Sequence, residues 1–129
     1  LICGDALDPP LAPDSFQRVV SLNVLDALRS APEHLSVVDA LCVPGGELLI
    51  SSPFSWQSGI VAENGRLNGS DPAITLHELL TTGRGLSASY AIGDCRELRW
   101  KLRRDSRSAV SYFTHLVRAH KNAPLGTPR

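Results

Sequence analysis

Two patterns of hydrophobic and polar positions divide the first half of the chain. A short β-branched run at 18–22 follows a proline-rich loop, and an apolar run at 47–52 ends at Pro53. Both runs are predicted to be short strands, and the first is expected to be buried and parallel to its neighbour. Between them, apolar residues recur at helical spacing over 35–42. The order strand, helix, strand indicates an α/β arrangement.

Local signals mark the ends of the predicted helices. Ser30, with a glutamate three residues later, forms the pattern of a capping box, and the Pro-Gly-Gly sequence at 44–46 is expected to stop this helix. Thr75, again with a glutamate three residues later, is expected to cap a second helix that ends near Gly83. The residues between the second strand and this helix lack periodicity and are predicted to form a long loop.

The second half of the chain predicts two further strands. The segment 86–100 is rich in β-type residues and is interrupted at 93–94, and beyond it apolar and basic residues alternate up to Arg103. A last strand at 110–117 follows a polar turn at 104–108. The predicted fold is therefore α/β with an antiparallel strand pair at its end.

Composition limits the classes of function and the location of the chain. The 129 residues suit one domain or part of one, and 13 basic residues balance 13 acidic ones, so no overall charge favours nucleic acid or a membrane surface. No apolar run approaches the roughly 20 residues that span a bilayer. The three cysteines show no metal-ligand spacing, which favours a reduced, cytoplasmic protein. The chain starts at Leu1 and contains no methionine, which indicates a fragment.

Three segments together resemble the class I S-adenosylmethionine-dependent methyltransferases. They are the Gly-Asp-Ala sequence at 4–6, the run at 14–21, and the segment 43–50 around the two glycines. The resemblance implies the C-terminal half of a Rossmann-like methyltransferase fold, with S-adenosylmethionine as cofactor. Gln17 and Val43 depart from the family's usual acid and lysine, and neither change removes a ligand contact.

The extent of the resemblance has consequences for the rest of the protein. It covers a partial methyltransferase domain at 1–121 and leaves 122–129 as a flexible tail. The family's glycine-rich loop and its ribose-binding acid have no counterpart here. A homodimer or a missing N-terminal segment is therefore expected to cover the edge of the first strand. Segments 21–26 and 52–56 and the final strand pair also look like the group that methylates 4-mercaptohistidine.

The resemblance assigns cofactor contacts to Asp5, Ala6, Leu22 and Asn23. The Asp5 carboxylate can accept from an exocyclic amine while the Ala6 N–H donates to a ring nitrogen of the adenine. An ordinary solvated turn is the alternative for this pair. Asn23 follows a predicted parallel strand, where α/β sheets bind ligands, and it can equally serve as a helix N-cap.

The expected methyl acceptor is a small polar molecule held by Phe54, Trp56 and Arg103. The two aromatic residues follow the second strand and can form a wall, or else a lid over the core. Arg103 belongs to a basic cluster that can bind a carboxylate or phosphate, or else forms a solvated strand face; nucleic-acid binding is disfavoured. The four histidines show no metal-ligand spacing and are interpreted as surface or packed residues rather than bases. The sequence identifies no catalytic residue.

Two other functions compete with this interpretation. The chain can be a non-catalytic remnant or partner-binding domain that retains a methyltransferase-like fold. It can also be a nicotinamide-dependent Rossmann enzyme, which would share the order of strands and helices. That enzyme class predicts a continuous parallel sheet, whereas the methyltransferase family predicts an antiparallel last strand.

Overall fold

A four-stranded mixed sheet with two helices organises the computed structural model, which describes residues 1–123. In chain order the elements are β1 (Phe16–Leu22), α1 (Ala31–Leu41), β2 (Cys42–Ser52), α2 (Pro72–Thr82), β3 (Tyr90–Arg103) and β4 (Ala109–Lys121). Short 3-10 turns at 25–27 and 63–65 lie in the connections. The strand order across the sheet is β1-β2-β4-β3. The α/β prediction is confirmed.

Strand directions separate the competing fold predictions. β1 and β2 are parallel, as predicted, and β4 runs antiparallel to both β2 and β3. The antiparallel final pair is therefore confirmed, and the continuous parallel sheet expected of a nicotinamide-dependent enzyme is absent from the described residues. The predicted interruption at 93–94 is a bulge, since the register of β3 against β4 shifts between Ile92 and Cys95.

The helix starts are partly as predicted. Ser30 caps α1 by accepting a hydrogen bond from the Glu33 N–H at 3.2 Å. The cap assigned to Thr75 is wrong, because α2 begins three residues earlier with Asp71 as its N-cap. The proline at the first position of α2 suits a helix start, which the periodic pattern alone did not reveal. Gly83 ends α2 in the left-handed conformation at φ 69°, as expected.

The Pro-Gly-Gly segment at 44–46 does not stop α1, which is a second correction. The helix ends at Leu41, and Cys42 is already extended and belongs to β2. Pairing advances from Phe16–Cys42 to Arg18–Glu47, so three extra residues of β2 form an irregularity in the strand. Gly45 adopts φ +83° within it. The glycines thus serve a strand bulge rather than a helix cap.

Within the described part of the chain, the two helices cover one face of the sheet. Leu35 and Val38 of α1 and Leu76 of α2 join one buried cluster with alternate residues of β2 and β4, among them Ile50 and Val117. On the opposite face, the β1 side chains Val20 and Leu22 are each 50% exposed. The prediction that β1 is buried is therefore wrong, because β1 is the edge strand of the sheet.

The last strand ends near the C-terminus of the described residues. β4 ends at Lys121, and the Asn122 N–H donates to the Ser89 carbonyl at 3.0 Å. Most of the predicted flexible tail, 124–129, lies outside the described residues, so this part stays a prediction. Within residues 1–123, no helix has the length and apolar character needed to cross a membrane.

Candidate cofactor and acceptor site

The carboxyl ends of β1 and β2 meet at one edge of the sheet, and the backbone is unusual at both. Asn23 follows β1 with φ 57°, and Phe54 comes shortly after β2 with φ 52°. A left-handed conformation is rare for a bulky residue such as phenylalanine, and such conformations cluster at functional sites. The Asn23 N–H donates to the Ser51 carbonyl at 2.8 Å, and Ser51 Oγ donates to Asn23 Oδ1 at 3.1 Å. The two strand ends are therefore tied together.

A buried histidine connects the Asp5–Ala6 turn to β1. His34 Nδ1 donates to the Ala6 carbonyl at 2.9 Å. Burial lowers the pKa of His34, so its ring is neutral and Nε2 accepts a hydrogen bond from Ser21 Oγ at 2.8 Å. Asp5 Oδ1 accepts from the Leu7 N–H at 2.9 Å within the turn. The contact with His34 thus holds the Ala6 turn close to the carboxyl end of β1.

The loop that carries Phe54 and Trp56 is held by a buried carboxylate. Asp26, 6% exposed, lies in the 3-10 turn after β1, and its Oδ2 accepts from the Ser55 N–H at 2.9 Å. Burial raises the pKa of Asp26 despite this hydrogen bond. The Phe54 and Trp56 rings lie 6.1 Å apart on either side of the anchored residue. Asp26 therefore positions the aromatic pair that the sequence suggested.

Two histidines and a glutamate form a hydrogen-bonded chain beside this loop. The Phe54 ring lies 6.5 Å from the ring of His115, which pairs with Ser52 at the end of β2. His115 Nδ1 donates to Glu97 Oε1 at 2.6 Å, and its Nε2 lies 2.8 Å from His77 Nε2. We call these three residues the His77–His115–Glu97 chain. It brings β3, β4 and α2 together at the carboxyl edge of β2.

This chain of side chains adds a contact between two of the histidines that the sequence did not predict. They lie 38 residues apart in sequence, and Glu97 lies 18 residues before His115, so no local motif contains them. The pairing of Glu97 with His115 across the β3–β4 hairpin was the one signal available, and it needed the strand register. His77 and His115 are thus packed residues, as interpreted from the sequence, and they are also linked to each other.

The structure groups six of the seven predicted site residues and separates one. The grouped residues lie at or next to the carboxyl ends of β1 and β2: Asp5, Ala6, Leu22, Asn23, Phe54 and Trp56. Arg103 instead pairs with Ala109 at the far end of the hairpin, six residues along β4 from His115. At the usual strand rise this places it about 20 Å along the strand from the end of β2. No contact of the described residues joins Arg103 to the aromatic pair.

Comparison with solved structures identifies the fold. The cyclase SpnF, named as a [4+2]-cyclase, is 13% identical with a TM-score of 0.59 over 95% of this chain and 56% of its own. A methyltransferase from Methanosarcina mazei, described as S-adenosylmethionine-dependent, is 17% identical with a TM-score of 0.57 over 92% of this chain and 65% of its own. A 16S rRNA (adenine(1408)-N(1))-methyltransferase from Catenulisporales acidiphilia is 20% identical with a TM-score of 0.52, over 94% and 57%. The chain has a Rossmann-like methyltransferase fold.

The likeness to solved structures shows the fold but not the activity of this chain. No protein-family model matches the chain, and no curated protein matches it. The narrower likeness to the group that methylates 4-mercaptohistidine gains no support. The chain spans about half the length of the structures it matches first. SpnF shows that a related fold can host a reaction named differently from methyl transfer, so the chemistry must be argued from the site.

Proposed function

We propose that this chain is part of an enzyme that transfers a methyl group from S-adenosylmethionine to a small polar acceptor. The observation that supports it is the convergence of three segments at one sheet edge: the Ala6 turn, the left-handed Asn23 and the anchored Phe54 loop. Open α/β sheets bind ligands at this edge, and methyltransferases are among the structures that share the fold. Fold and site therefore favour the same chemistry.

The residues on the cofactor side suit S-adenosylmethionine. The Asp5 side chain is exposed and uses Oδ1 within its own turn, which leaves Oδ2 to accept from an adenine amine. The side chain of Asn23 accepts from Ser51 through Oδ1, so its NH₂ group is left to donate to the cofactor. Leu22 supplies apolar surface beside it, since its side chain is 50% exposed. The cofactor, when bound, supplies an activated methyl group on a sulfonium.

On the acceptor side, the protein's task is alignment and exclusion of water. Methyl transfer is an in-line displacement in which the leaving sulfur already carries positive charge, so positioning supplies much of the rate. Phe54 and Trp56 form a wall next to the cofactor residues. Arg103, at the far end of the β3–β4 hairpin, lies outside this wall. An imidazole, as in 4-mercaptohistidine, is one acceptor of the proposed class.

The uncovered edge of β1 supports a partner in the complete protein. β1 is an edge strand of the sheet, and its side chains Val20 and Leu22 are half exposed on the face without helices. Such an edge and face attract other chains. We propose that a segment outside these 129 residues, or a second copy, covers them. The three free cysteines support a reducing, cytoplasmic location.

The same exposed surface favours a second candidate function. A non-catalytic domain that retains the fold would use the β1 edge for association alone and would need no cofactor. Sedimentation of the purified chain tests the association itself. Only cofactor binding distinguishes an enzyme from a partner-binding remnant.

Calorimetric titration of S-adenosylhomocysteine into the 129-residue chain tests the proposal. The product avoids the need to know the acceptor. Saturable binding is expected, and Asn23→Ala should weaken it roughly tenfold through loss of a hydrogen bond to a charged or polar ligand group. Asn64→Ala, which removes an exposed amide elsewhere, is the matched control. A folded chain that binds no S-adenosylhomocysteine would leave the partner-binding function as the better account.

A further inference from the structure

A line of hydrogen bonds runs from His77 through the largely buried ring of His115 to the exposed Glu97. His115 has a side chain that is only 11% exposed, whereas that of Glu97 is 61% exposed. With both imidazoles neutral, His115 Nδ1–H donates to the Glu97 carboxylate, which leaves His115 Nε2 to accept from His77 Nε2–H. His77 Nδ1 then carries a free lone pair. The three groups thus form a directed line of hydrogen bonds.

The second ring nitrogen of His77, Nδ1, is accessible to solvent or to a ligand. Among residues 1–123, no buried side-chain nitrogen or oxygen lacks a hydrogen-bond partner. His77 Nδ1 has no partner on the described chain, so it must be accessible. Glu97 binds the opposite nitrogen of His115, so the three side chains do not converge on one point as metal ligands would. The arrangement is suited to moving a proton and not to holding a cation.

The His77–His115–Glu97 chain lies next to the aromatic loop that is proposed to hold the methyl acceptor. Phe54 packs near His115, and Phe54 and Trp56 form the proposed acceptor wall. We propose that the His77–His115–Glu97 chain is the general base of the acceptor site, and that the acceptor is therefore an amine or imidazole nitrogen that loses a proton on methylation. A carboxylate acceptor would have no proton to lose. This inference rests on the proposed function.

The proton transfer balances. The acceptor nitrogen forms a bond to the methyl carbon, the carbon–sulfur bond breaks, and its electron pair leaves with the neutral thioether. The proton of the acceptor N–H passes to His77 Nδ1, and the proton on His77 Nε2 shifts to His115 Nε2. His115 is then an imidazolium paired with the Glu97 carboxylate, and solvent takes the extra proton afterwards. His77 is the residue that touches the acceptor, whereas His115 and Glu97 position and polarise it.

The surroundings of His77 keep its ring unprotonated. Burial and then the neighbouring His115 lower the pKa of His77, while Asp71 at the start of α2 raises it in part. The groups that face the two rings are thus Glu97 on β3, Asp71 before α2, and each other. At neutral pH His77 is therefore unprotonated, as a base must be.

Sinefungin is a cofactor analogue that carries an amine in place of the methylated sulfonium. It probes the His77–His115–Glu97 chain without an acceptor. Its affinity is compared with that of S-adenosylhomocysteine, which lacks the amine, by calorimetry between pH 7.5 and 5. The ammonium donates to neutral His77 but is repelled by protonated His77. The dissociation constant of sinefungin divided by that of S-adenosylhomocysteine should therefore rise about tenfold or more between pH 7.5 and 5. One unit of pKa coupling corresponds to about a tenfold change in affinity.

Variants test whether this pH dependence comes from the His77–His115–Glu97 chain. His77→Ala and His77→Gln should both flatten the ratio, and the glutamine variant keeps a donor toward His115 in case the alanine variant fails to fold. His120→Asn is the matched control, because that histidine is exposed at the amino end of β2 beside Glu47. The control should retain the wild-type profile.

The outcomes separate this inference from the function on which it rests. One outcome is that both ligands bind with an affinity ratio that does not change with pH, or that changes equally in His77→Gln. In that case the His77–His115–Glu97 chain is not a base, and the proposed function survives. If the folded wild-type chain binds neither ligand, the proposed function fails, and the inference fails with it. A ratio that rises in the wild type and the control but not in the His77 variants supports the His77–His115–Glu97 chain as the base.

Discussion

Replacing Lys121 with methionine should destabilise the fold strongly, because this lysine neutralises a buried carboxylate. The side chains of Lys121 and Asp39 are 2% and 3% exposed, and their charged atoms lie 3.2 Å apart. Lys121 Nζ also donates to the carbonyls of Asp39 and Cys42 at 2.7 and 2.9 Å. The ion pair thus joins the end of β4 to the junction of α1 and β2.

The expected size of the effect follows from the charge that would be left behind. Breaking a buried ion pair by removing one partner costs about 3–5 kcal/mol, since the other charge stays uncompensated. Asp39 would keep its hydrogen bonds from the Tyr90 hydroxyl and the Ser87 N–H, so the lower end of this range applies. With a urea m-value of about 2 kcal/mol/M, the unfolding midpoint should fall by about 1.5 M. That is a large share of the total stability of a small domain.

Urea unfolding followed by circular dichroism measures the change. Arg29→Met is the control, because Arg29 and Glu33 form an exposed pair at 3.7 Å whose loss should cost less than about 1 kcal/mol. The double variant Asp39→Asn/Lys121→Met should lose less than the sum of the single changes, since neither charge remains buried. A Lys121→Met loss below about 1 kcal/mol with an unchanged m-value would refute the reasoning.

The same network gives a pH dependence. Burial opposes ionisation of Asp39, but hydrogen bonds from Tyr90 and Ser87, together with the Lys121 charge, hold its pKa below the usual value. A carboxyl whose pKa is depressed in the folded state contributes stability above its unfolded pKa, and this contribution is lost as the pH falls through the folded value. Stability should therefore drop below about pH 4. Asp39→Asn should remove that part of the acid dependence.

Three further predictions concern local features. Asp71→Ala should cost about 1 kcal/mol in urea unfolding, because its carboxylate caps α2 by accepting from the Ala73 N–H at 3.0 Å; Asp94→Ala, on the exposed β3 bulge, should change little. Gly83→Ala should lower the melting temperature, since Gly83 has φ +69° and an added Cβ would lie 2.8 Å from the Ala88 carbonyl oxygen; an unchanged melt would contradict a left-handed cap at the end of α2. Burial lowers the pKa of His34, so stability should decline as the pH falls from about 6.5, and His34→Gln should reduce that slope, as acid titration of both proteins would show.

The order and type of the elements could be read from the sequence where neighbours along the chain control the backbone. Ser30 and Gly83 act within one helical turn, and the apolar and basic residues up to Arg103 alternate because strand side chains alternate by geometry. The segments at 4–6, 14–21 and 43–50 led to the fold that the solved structures confirm. The Pro-Gly-Gly segment misled, because a glycine suits a strand bulge as well as a helix cap.

Only the tertiary structure decided which distant side chains meet. Lys121 reaches the backbone of Asp39 across 82 residues, and His77 meets His115 across 38, through sheet register and helix packing that no local pattern encodes. The same register moved Arg103 away from the aromatic pair and placed β1 at the sheet edge. Local sequence thus determined most of the elements and which residues follow the carboxyl ends of β1 and β2. Long-range packing determined which side chains meet there, because hydrogen bonds and charges act between residues that folding alone brings within reach.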